Sequence, residues 1–263
     1  MSERHALRAT AAAALLAVVA GCSSPPSGQE PAGPGPAATS PGPAATVGGA
    51  RLEAVLDSPV DIELSWQGGE PGTAGHVLEF ATDAAGPYTA LQYLPPGRTT
   101  YRHPDLIPET PFFYRLRTFR GPASRPVDVR LPEGKFSAED QESDHKWVPP
   151  RTVAGRNLST RPVRSAKSAA APTGLKATVK HANGILFTWT DNAADETGQL
   201  LEARTSTGRE YEPVAVLDAD INSYGLITLP GEKNASYRIR AFTHGGQSNM
   251  VRLRTGQDPE DRG

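Results

Sequence analysis

Short runs of alternating apolar and polar residues recur between residues 51 and 256, separated by turns rich in Gly and Pro. In residues 60–66 (VDIELSW), every second residue is apolar and the residues between are acidic or hydroxylated. An extended strand with this pattern buries one face and exposes the other. Runs of this kind, bounded by turn residues every 8–12 positions or so, are typical of an all-β sandwich.

The pattern occurs twice. Trp66 ends the run 60–66, and Trp189 ends a second run, 185–189 (ILFTW), 123 positions later. Such an internal repeat indicates two similar structural units. The same offset relates Gly75 to Gly198, Glu79 to Glu202, Tyr88 to Tyr211, Tyr101 to Tyr224, Leu106 to Leu229 and residues 114–117 (YRLR) to residues 237–240 (YRIR).

Each repeat contains enough strands for a seven-stranded sandwich of its own. In the first repeat, residues 124–131 are predicted to be the strand that closes the sandwich, and Pro126 suits an edge strand because it has no N–H to donate. We therefore expect two tandem sandwiches that fold independently.

The residues around both tryptophans resemble fibronectin type III domains. In the first repeat the resemblance is carried by Trp66, Tyr101, Leu106 and Tyr114, which it implies are structural core residues. In the second it is carried by the run 189–198 (WTDNAADETG), as in bacterial members of the family, and by three further residues that it places in the core, Tyr224, Leu229 and Tyr237.

The resemblance departs from the family at one position in each repeat. The family has a tyrosine six residues after the conserved leucine, where its hydroxyl makes a corner hydrogen bond. Phe112 and Ala235 occupy these positions here. We expect other contacts to hold both corners, or the corners to be looser.

The N-terminus has the pattern of a lipoprotein signal. Arg4 and Arg8 precede an apolar run, 9–20, that is too short to span a bilayer and suits a signal sequence. The run ends in residues 19–22 (VAGC), which resemble the bacterial lipobox. Cys22, the single cysteine of the chain, is therefore expected to be lipidated and to anchor the protein outside the cytoplasm. The alternative is an ordinary secretory signal with a chance cysteine.

Proline, glycine and charge patterns define the remaining segments. Residues after Cys22 form a Pro-, Gly- and Ala-rich tether that cannot bury enough surface to fold, and the stretch between the repeats shows no periodicity. The predicted organisation is a signal peptide at 1–21, a tether at 22–50, a first domain at 51–132, a disordered linker at 133–170, a second domain at 171–256 and a frayed tail at 257–263.

No catalytic or cofactor motif is present in the sequence, so we expect neither an enzyme nor a cofactor. A net charge of −2 without a basic block predicts no nucleic-acid binding. His103 with Asp105 suggests a dyad, but a surface pair is the preferred interpretation. Asp191, Asp195 and Glu196 suit a turn better than a calcium or sugar site, and no metal site is predicted.

Two functions remain open at this point. The first is a non-catalytic, lipid-anchored surface protein whose domains are spacers or protein-binding modules. The second is an accessory carbohydrate-binding protein in extracellular polysaccharide breakdown, since bacterial members of the resembled family often accompany glycosidases. Tyr93 and Trp147 are the aromatic residues left over as possible ligand contacts.

Overall fold

The computed structural model describes residues 49–132, 145–164 and 167–257, all of which belong to one compact unit. Within these ranges the chain forms fifteen β-strands and one 3₁₀ turn, Pro230–Glu232. The predicted all-β sandwich fold is confirmed. The strands are β1 Arg51–Ser58, β2 Asp61–Gln67, β3 Gly75–Ala81, β4 Thr89–Leu94, β5 Thr100–His103, β6 Pro111–Arg120, β7 Val127–Arg130, β8 Asn157–Arg161, β9 Thr173–His181, β10 Gly184–Ala193, β11 Gly198–Thr205, β12 Glu212–Asp218, β13 Ser223–Ile227, β14 Asn234–Gln247 and β15 Val251–Arg254.

Two sheets pack face to face in the first repeat. The antiparallel sheet β1-β2-β5 places Leu52 opposite Trp66 and Leu64 opposite Tyr101. It packs against β3, β4 and β6 through a buried cluster that includes Trp66 and Tyr114. The alternation of β2 buries Ile62 as well as Leu64. The apolar face of that run therefore forms half of this core.

The second repeat is built in the same way. β9, β10 and β13 form one sheet, and β11, β12 and β14 form strands of the other. Phe187 and Trp189 of β10 are fully buried against Tyr237 and Ile239 of β14. The same alternation therefore produces a second, separate hydrophobic core.

The strands that close the two sandwiches are exchanged between the repeats. β7 follows the first repeat in the chain but pairs with β14 of the second, with Val129 opposite Ala235. β15 follows the second repeat but pairs with β6 of the first, with Leu253 opposite Phe112. Among the described residues the first sandwich thus has seven strands and the second has seven besides β8, and in each sandwich one strand comes from the other repeat. The prediction that residues 124–131 close the first sandwich is wrong, and a boundary at residue 132 does not separate two sandwiches.

Each exchange follows from a strand that continues instead of turning back. Residues 111–131 run antiparallel to residues 233–254 through β6, β7, β14 and β15, and we call this pair of long segments the ribbon. Pro122 and Pro126 fix their own φ and hold the residues before them extended, which favours continuation along β14 over a hairpin against β6.

Two serines keep the ribbon paired where its register shifts. The Ser124 N–H donates to the Ile239 carbonyl at 2.8 Å, and the Ser124 hydroxyl accepts from the Ile239 N–H at 3.1 Å. Ser248 makes the equivalent pair of bonds with Leu116, at 2.8 and 2.9 Å. The side chains thereby replace ladder bonds that an irregular register would leave unmade.

A third apolar cluster lies at the centre of the ribbon. Phe119 of β6 and Phe242 of β14 occupy equivalent positions in the two repeats, and their rings meet edge to face at 5.7 Å. Leu200 is buried with them. The two sandwiches therefore share a core as well as a sheet.

The linker is ordered where the structure describes it, so the prediction of a disordered linker is wrong for residues 145–164. β8 pairs in parallel with the end of β10, Asn157 lying opposite Asp191. Arg151 and Val148 hydrogen-bond along the edge strand β13, at Ser223 and Gly225. The linker is ordered here because the edge strand β13 presents unpaired backbone N–H and C=O groups, which hydrogen-bond to it.

In the second repeat another contact holds the corner, which is one of the two alternatives predicted for it. The Tyr237 hydroxyl donates to the Glu232 carbonyl at 2.7 Å, so this repeat has a corner hydrogen bond although Ala235 occupies the expected position. In the first repeat, the Tyr114 hydroxyl lies 2.9 Å from His103 Nδ1. A tyrosine two positions further along the strand thus supplies the corner bond in one repeat and a side-chain bond in the other.

Candidate functional site

The residues assigned to the core by resemblance lie in or beside the two hydrophobic clusters. Both tryptophans and both strand tyrosines of the ribbon are buried, as is Leu106. Tyr101, Tyr224 and Leu229 are partly buried. Because these side chains build the two cores, function has to be sought in other residues.

Tyr93 does not lie on an open face. Its ring is 5.8 Å from Phe119 and 5.6 Å from Phe242, and burial raises the pKa of its hydroxyl. Tyr93 therefore belongs to the apolar cluster that joins the sandwiches.

Trp147 lies on the second sandwich. Its indole stacks on His145 with centroids 5.4 Å apart and meets His181 of β9 edge to face. A Cβ added to Gly184 or Gly225 would come within 2.7 Å of the indole. These two glycines make room for the ring, and the linker docks through it.

Two glutamate–arginine clusters were missed in the sequence analysis, although they obey the offset of 123. Glu79 pairs with Arg115 and lies 4.0 Å from Arg117. Glu202 pairs with Arg238 and Arg240. The Arg115 guanidinium also lies over the Tyr88 ring, and that of Arg238 lies over the Tyr211 ring, at 4.1 and 3.9 Å. The shared register of these residues was the signal that could have revealed them.

His103 and Asp105 do not form a dyad. His103 pairs with Tyr114, as described above, while the Asp105 N–H donates to Asp61 at 3.0 Å. Burial among Phe80, Phe112 and Tyr114 lowers the pKa of His103 to about 4. His103 is therefore a neutral, partly buried residue that is hydrogen-bonded to Tyr114.

Three carboxylates converge beside the described part of the linker. Asp191 lies near the end of β10, Glu196 in the turn before β11, and Asp220 in the turn before β13. Each offers a carboxylate oxygen, and these oxygens lie within 4.8 Å of one another. We call these three residues the acidic cluster. Burial, reinforced by the neighbouring Glu196 carboxylate, raises the pKa of Asp191 to about 7.

In the described part of the chain, only some of the carboxylate oxygens of the acidic cluster have hydrogen-bond partners. Asp191 Oδ1 accepts from the Ala193 N–H at 3.1 Å, which is the expected turn bond. Asp191 Oδ2 is buried with no hydrogen-bond partner among the described residues, and so are both polar side-chain atoms of Gln199. Asp195, considered with this group in the sequence analysis, instead accepts from the Val163 N–H at 2.6 Å.

The linker contributes to the rim of the acidic cluster. Asp220 Oδ1 accepts from Asn157 Nδ2 at 2.7 Å and from the Ser159 hydroxyl at 3.2 Å, and the Asp220 N–H donates to Glu196 at 3.1 Å. The Asp191 N–H donates to the Arg156 carbonyl. Sequence reasoning missed Asp220 and Asn157, because only the fold brings them to the turn that follows Trp189.

Cys22, the predicted lipidation site, lies outside the described residues, as do the rest of residues 1–48 and the acidic stretch 133–144. No helix in the described part of the chain is both long enough and apolar enough to cross a membrane.

Neither a family model nor a curated protein matches the sequence. Similar solved structures include a fibronectin type III-like protein from Clostridium thermocellum, which is 28% identical, with 26% of this chain and 69% of that chain covered and a TM-score of 0.23. Another is a segment of two fibronectin type III domains from chicken tenascin, which is 13% identical. The match covers 79% of this chain and 99% of that chain, with a TM-score of 0.26.

Proposed function

We propose that this chain is a non-catalytic, lipid-anchored protein of the outer cell surface, and that its two sandwiches act as one rigid spacer or protein-interaction module. The ribbon is the observation that carries the proposal. Because each sandwich takes its closing strand from the other repeat, the pair resists bending at the position where tandem domains usually hinge.

The pattern at residues 4–22 supports the anchor. A basic start, a short apolar run and a small residue before Cys22 are the features that lipidation requires, and no other residue of the chain offers a thiol. Two or three acyl chains give stable membrane attachment where one chain is marginal. The tether then separates the sandwiches from the membrane.

The carbohydrate-binding alternative has less support. Sugar binding typically uses aromatic rings on an open face, but Tyr93 is packed between two phenylalanines and Trp147 is stacked on His145. Neither ring presents a free platform to a sugar.

The anchor is tested by labelling cells with a fatty acid and partitioning the protein in a detergent that separates into two phases. We expect labelled protein in the detergent phase, and a Cys22→Ser variant that is unlabelled and stays with the aqueous phase. Labelling of the variant would refute the anchor. Retention of the protein on insoluble glycans, lost in Trp147→Ala, would favour the carbohydrate-binding alternative.

A further inference from the structure

We propose that the acidic cluster is a calcium site, in which Asp191, Glu196 and Asp220 bind the ion. This assignment goes beyond the proposed function and replaces the expectation from the sequence that these residues only form a turn.

Unsatisfied buried oxygens point to a ligand. Asp191 and Gln199 are both 0% exposed, and neither Asp191 Oδ2 nor the Gln199 side chain has a hydrogen-bond partner among the described residues. The Gln199 side chain lies beside Asp191, and its proximity lowers the pKa of that carboxyl. Buried polar atoms without partners are rare in folded proteins and call for an explanation, of which an ion is one.

The fold itself does not require these carboxylates. In the first repeat, the positions equivalent to Asp191, Glu196 and Asp220 are Gly68, Thr73 and Gly97. That repeat forms the same strands without a single acidic side chain at these places. Three carboxyl groups brought together in one repeat and absent from its twin indicate a specific role, because carboxylates at this distance repel unless a cation or a shared proton lies between them.

The ligand atoms of the acidic cluster favour calcium over other cations. All three side chains supply carboxylate oxygen, which hard cations prefer, and they come from one strand and two turns without regular geometry. Calcium tolerates such irregular placement, whereas magnesium requires a near-ideal octahedron. The choice also rests on the proposed location outside the cytoplasm, where modules bind calcium with dissociation constants of about 10⁻⁴–10⁻³ M.

Calcium would fasten the linker to the second sandwich. Asp220 bonds Asn157 and Ser159 of β8, and the Asp191 N–H bonds Arg156. An ion that holds Asp191 and Asp220 together therefore also holds residues 156–159 against β10. We expect calcium to protect this part of the linker from proteolysis.

The test is calorimetric titration of the full chain, stripped with a chelator, with CaCl₂ and separately with MgCl₂. We expect a calcium dissociation constant of about 10⁻⁴–10⁻³ M and at least about tenfold weaker magnesium binding. At a calcium excess of about twenty times that constant, the midpoint of thermal unfolding should rise by about 4–7 °C.

Four variants make the titration specific. Asp191→Asn and Glu196→Gln should weaken calcium binding at least about tenfold, and Asp220→Asn, on a more exposed residue, provides the same test if the buried variants do not fold. Asp195→Asn is the matched control, because it removes a charge from the same turn but not from the cluster. Absence of calcium binding, equal binding of magnesium, or equal constants in all variants would overturn the assignment. The titration does not depend on where the protein is located in the cell. A negative titration would therefore refute the calcium site without bearing on the lipid anchor.

Discussion

Glu202 shows how one buried charge ties the two repeats together. Its carboxylate pairs with Arg238 and Arg240, and Arg240 in turn donates to the Gly121 carbonyl at the point where the first repeat crosses over. Glu79 holds the equivalent place, but Arg117, the equivalent of Arg240, is more exposed, with 31% of its side chain accessible against 7%. The same pair of residue types is therefore more deeply desolvated in the second repeat than in the first.

Replacing Glu202 by Gln should cost about 3–5 kcal/mol of unfolding free energy, because it leaves Arg240 buried without its counter-charge. The matched variant Glu79→Gln should cost about 1 kcal/mol, since water screens its arginines better. Urea unfolding of both variants measures the difference. Equal costs would show that burial does not distinguish the two clusters.

His103 should make stability depend on pH. Its pKa is about 4 in the folded protein and about 6.5 when unfolded, so between these values the unfolded chain binds the extra proton. Stability should therefore fall as pH drops from about 6.5 to about 4, by about 3 kcal/mol for this residue. In His103→Gln, the unfolding free energy should change by about 3 kcal/mol less over this pH range. Denaturant unfolding of both proteins at several pH values measures this difference. Parallel profiles for the two proteins would contradict the assignment.

The acidic cluster marks the limit of sequence reasoning at this scale. Asp191 and Glu196 stand out because they lie in one short motif after Trp189. Asp220 follows 24 residues after Glu196, and Asn157 belongs to a linker without periodicity, so no local pattern connects them. Only the pairing of β8 with β10 brings these residues together.

At the scale of elements, alternation predicted the strands but not their partners. Val127 and Val129 alternate with polar residues equally well whether β7 pairs with β6 or with β14. The choice depends on the six residues after Arg120, where Gly121, Pro122 and Pro126 keep the chain extended. The prediction that residues 124–131 close the first sandwich did not take account of these prolines, which were the available evidence against it.

Gly121 is the residue at which the ribbon is tightest. A Cβ added there would lie 2.0 Å from the Ala241 carbonyl, and its φ of 150° disfavours other residues. Gly121→Ala should therefore lower the unfolding free energy by about 2–4 kcal/mol. Gly72→Ala is the control, because it has φ of 80° but open space, and should cost about 1 kcal/mol. Thermal unfolding of both tests this, and equal losses would mean that the contact with β14 is not tight.

At the scale of the whole molecule, the two repeats belong to one compact unit. Each core includes a residue from the exchanged strand, Val129 in the second and Leu253 in the first. Neither repeat completes its sheet without a strand of the other. We therefore expect a stiff module that unfolds in one transition, in place of two domains that fold independently.

Truncation of either core tryptophan tests this coupling. Trp66→Ala should lower the unfolding free energy by about 3–5 kcal/mol, and loss of the first core should remove the closing strand of the second. Calorimetry should show one transition in the native protein and one, at lower temperature, in Trp66→Ala and in Trp189→Ala. A transition that stays at the native temperature beside a shifted one would mean independent sandwiches.

The strand exchange itself is tested most directly by disulfide trapping in a Cys22→Ser background, which has no other thiol. In the ribbon Asp128 lies opposite Ser236, a spacing within reach of a disulfide. Without exchange its partner would be Phe113, which now lies opposite Arg252. We predict that Asp128→Cys with Ser236→Cys oxidises to a monomeric cross-linked chain, while Asp128→Cys with Phe113→Cys does not. Cross-linking of the second pair and not the first would contradict the exchange.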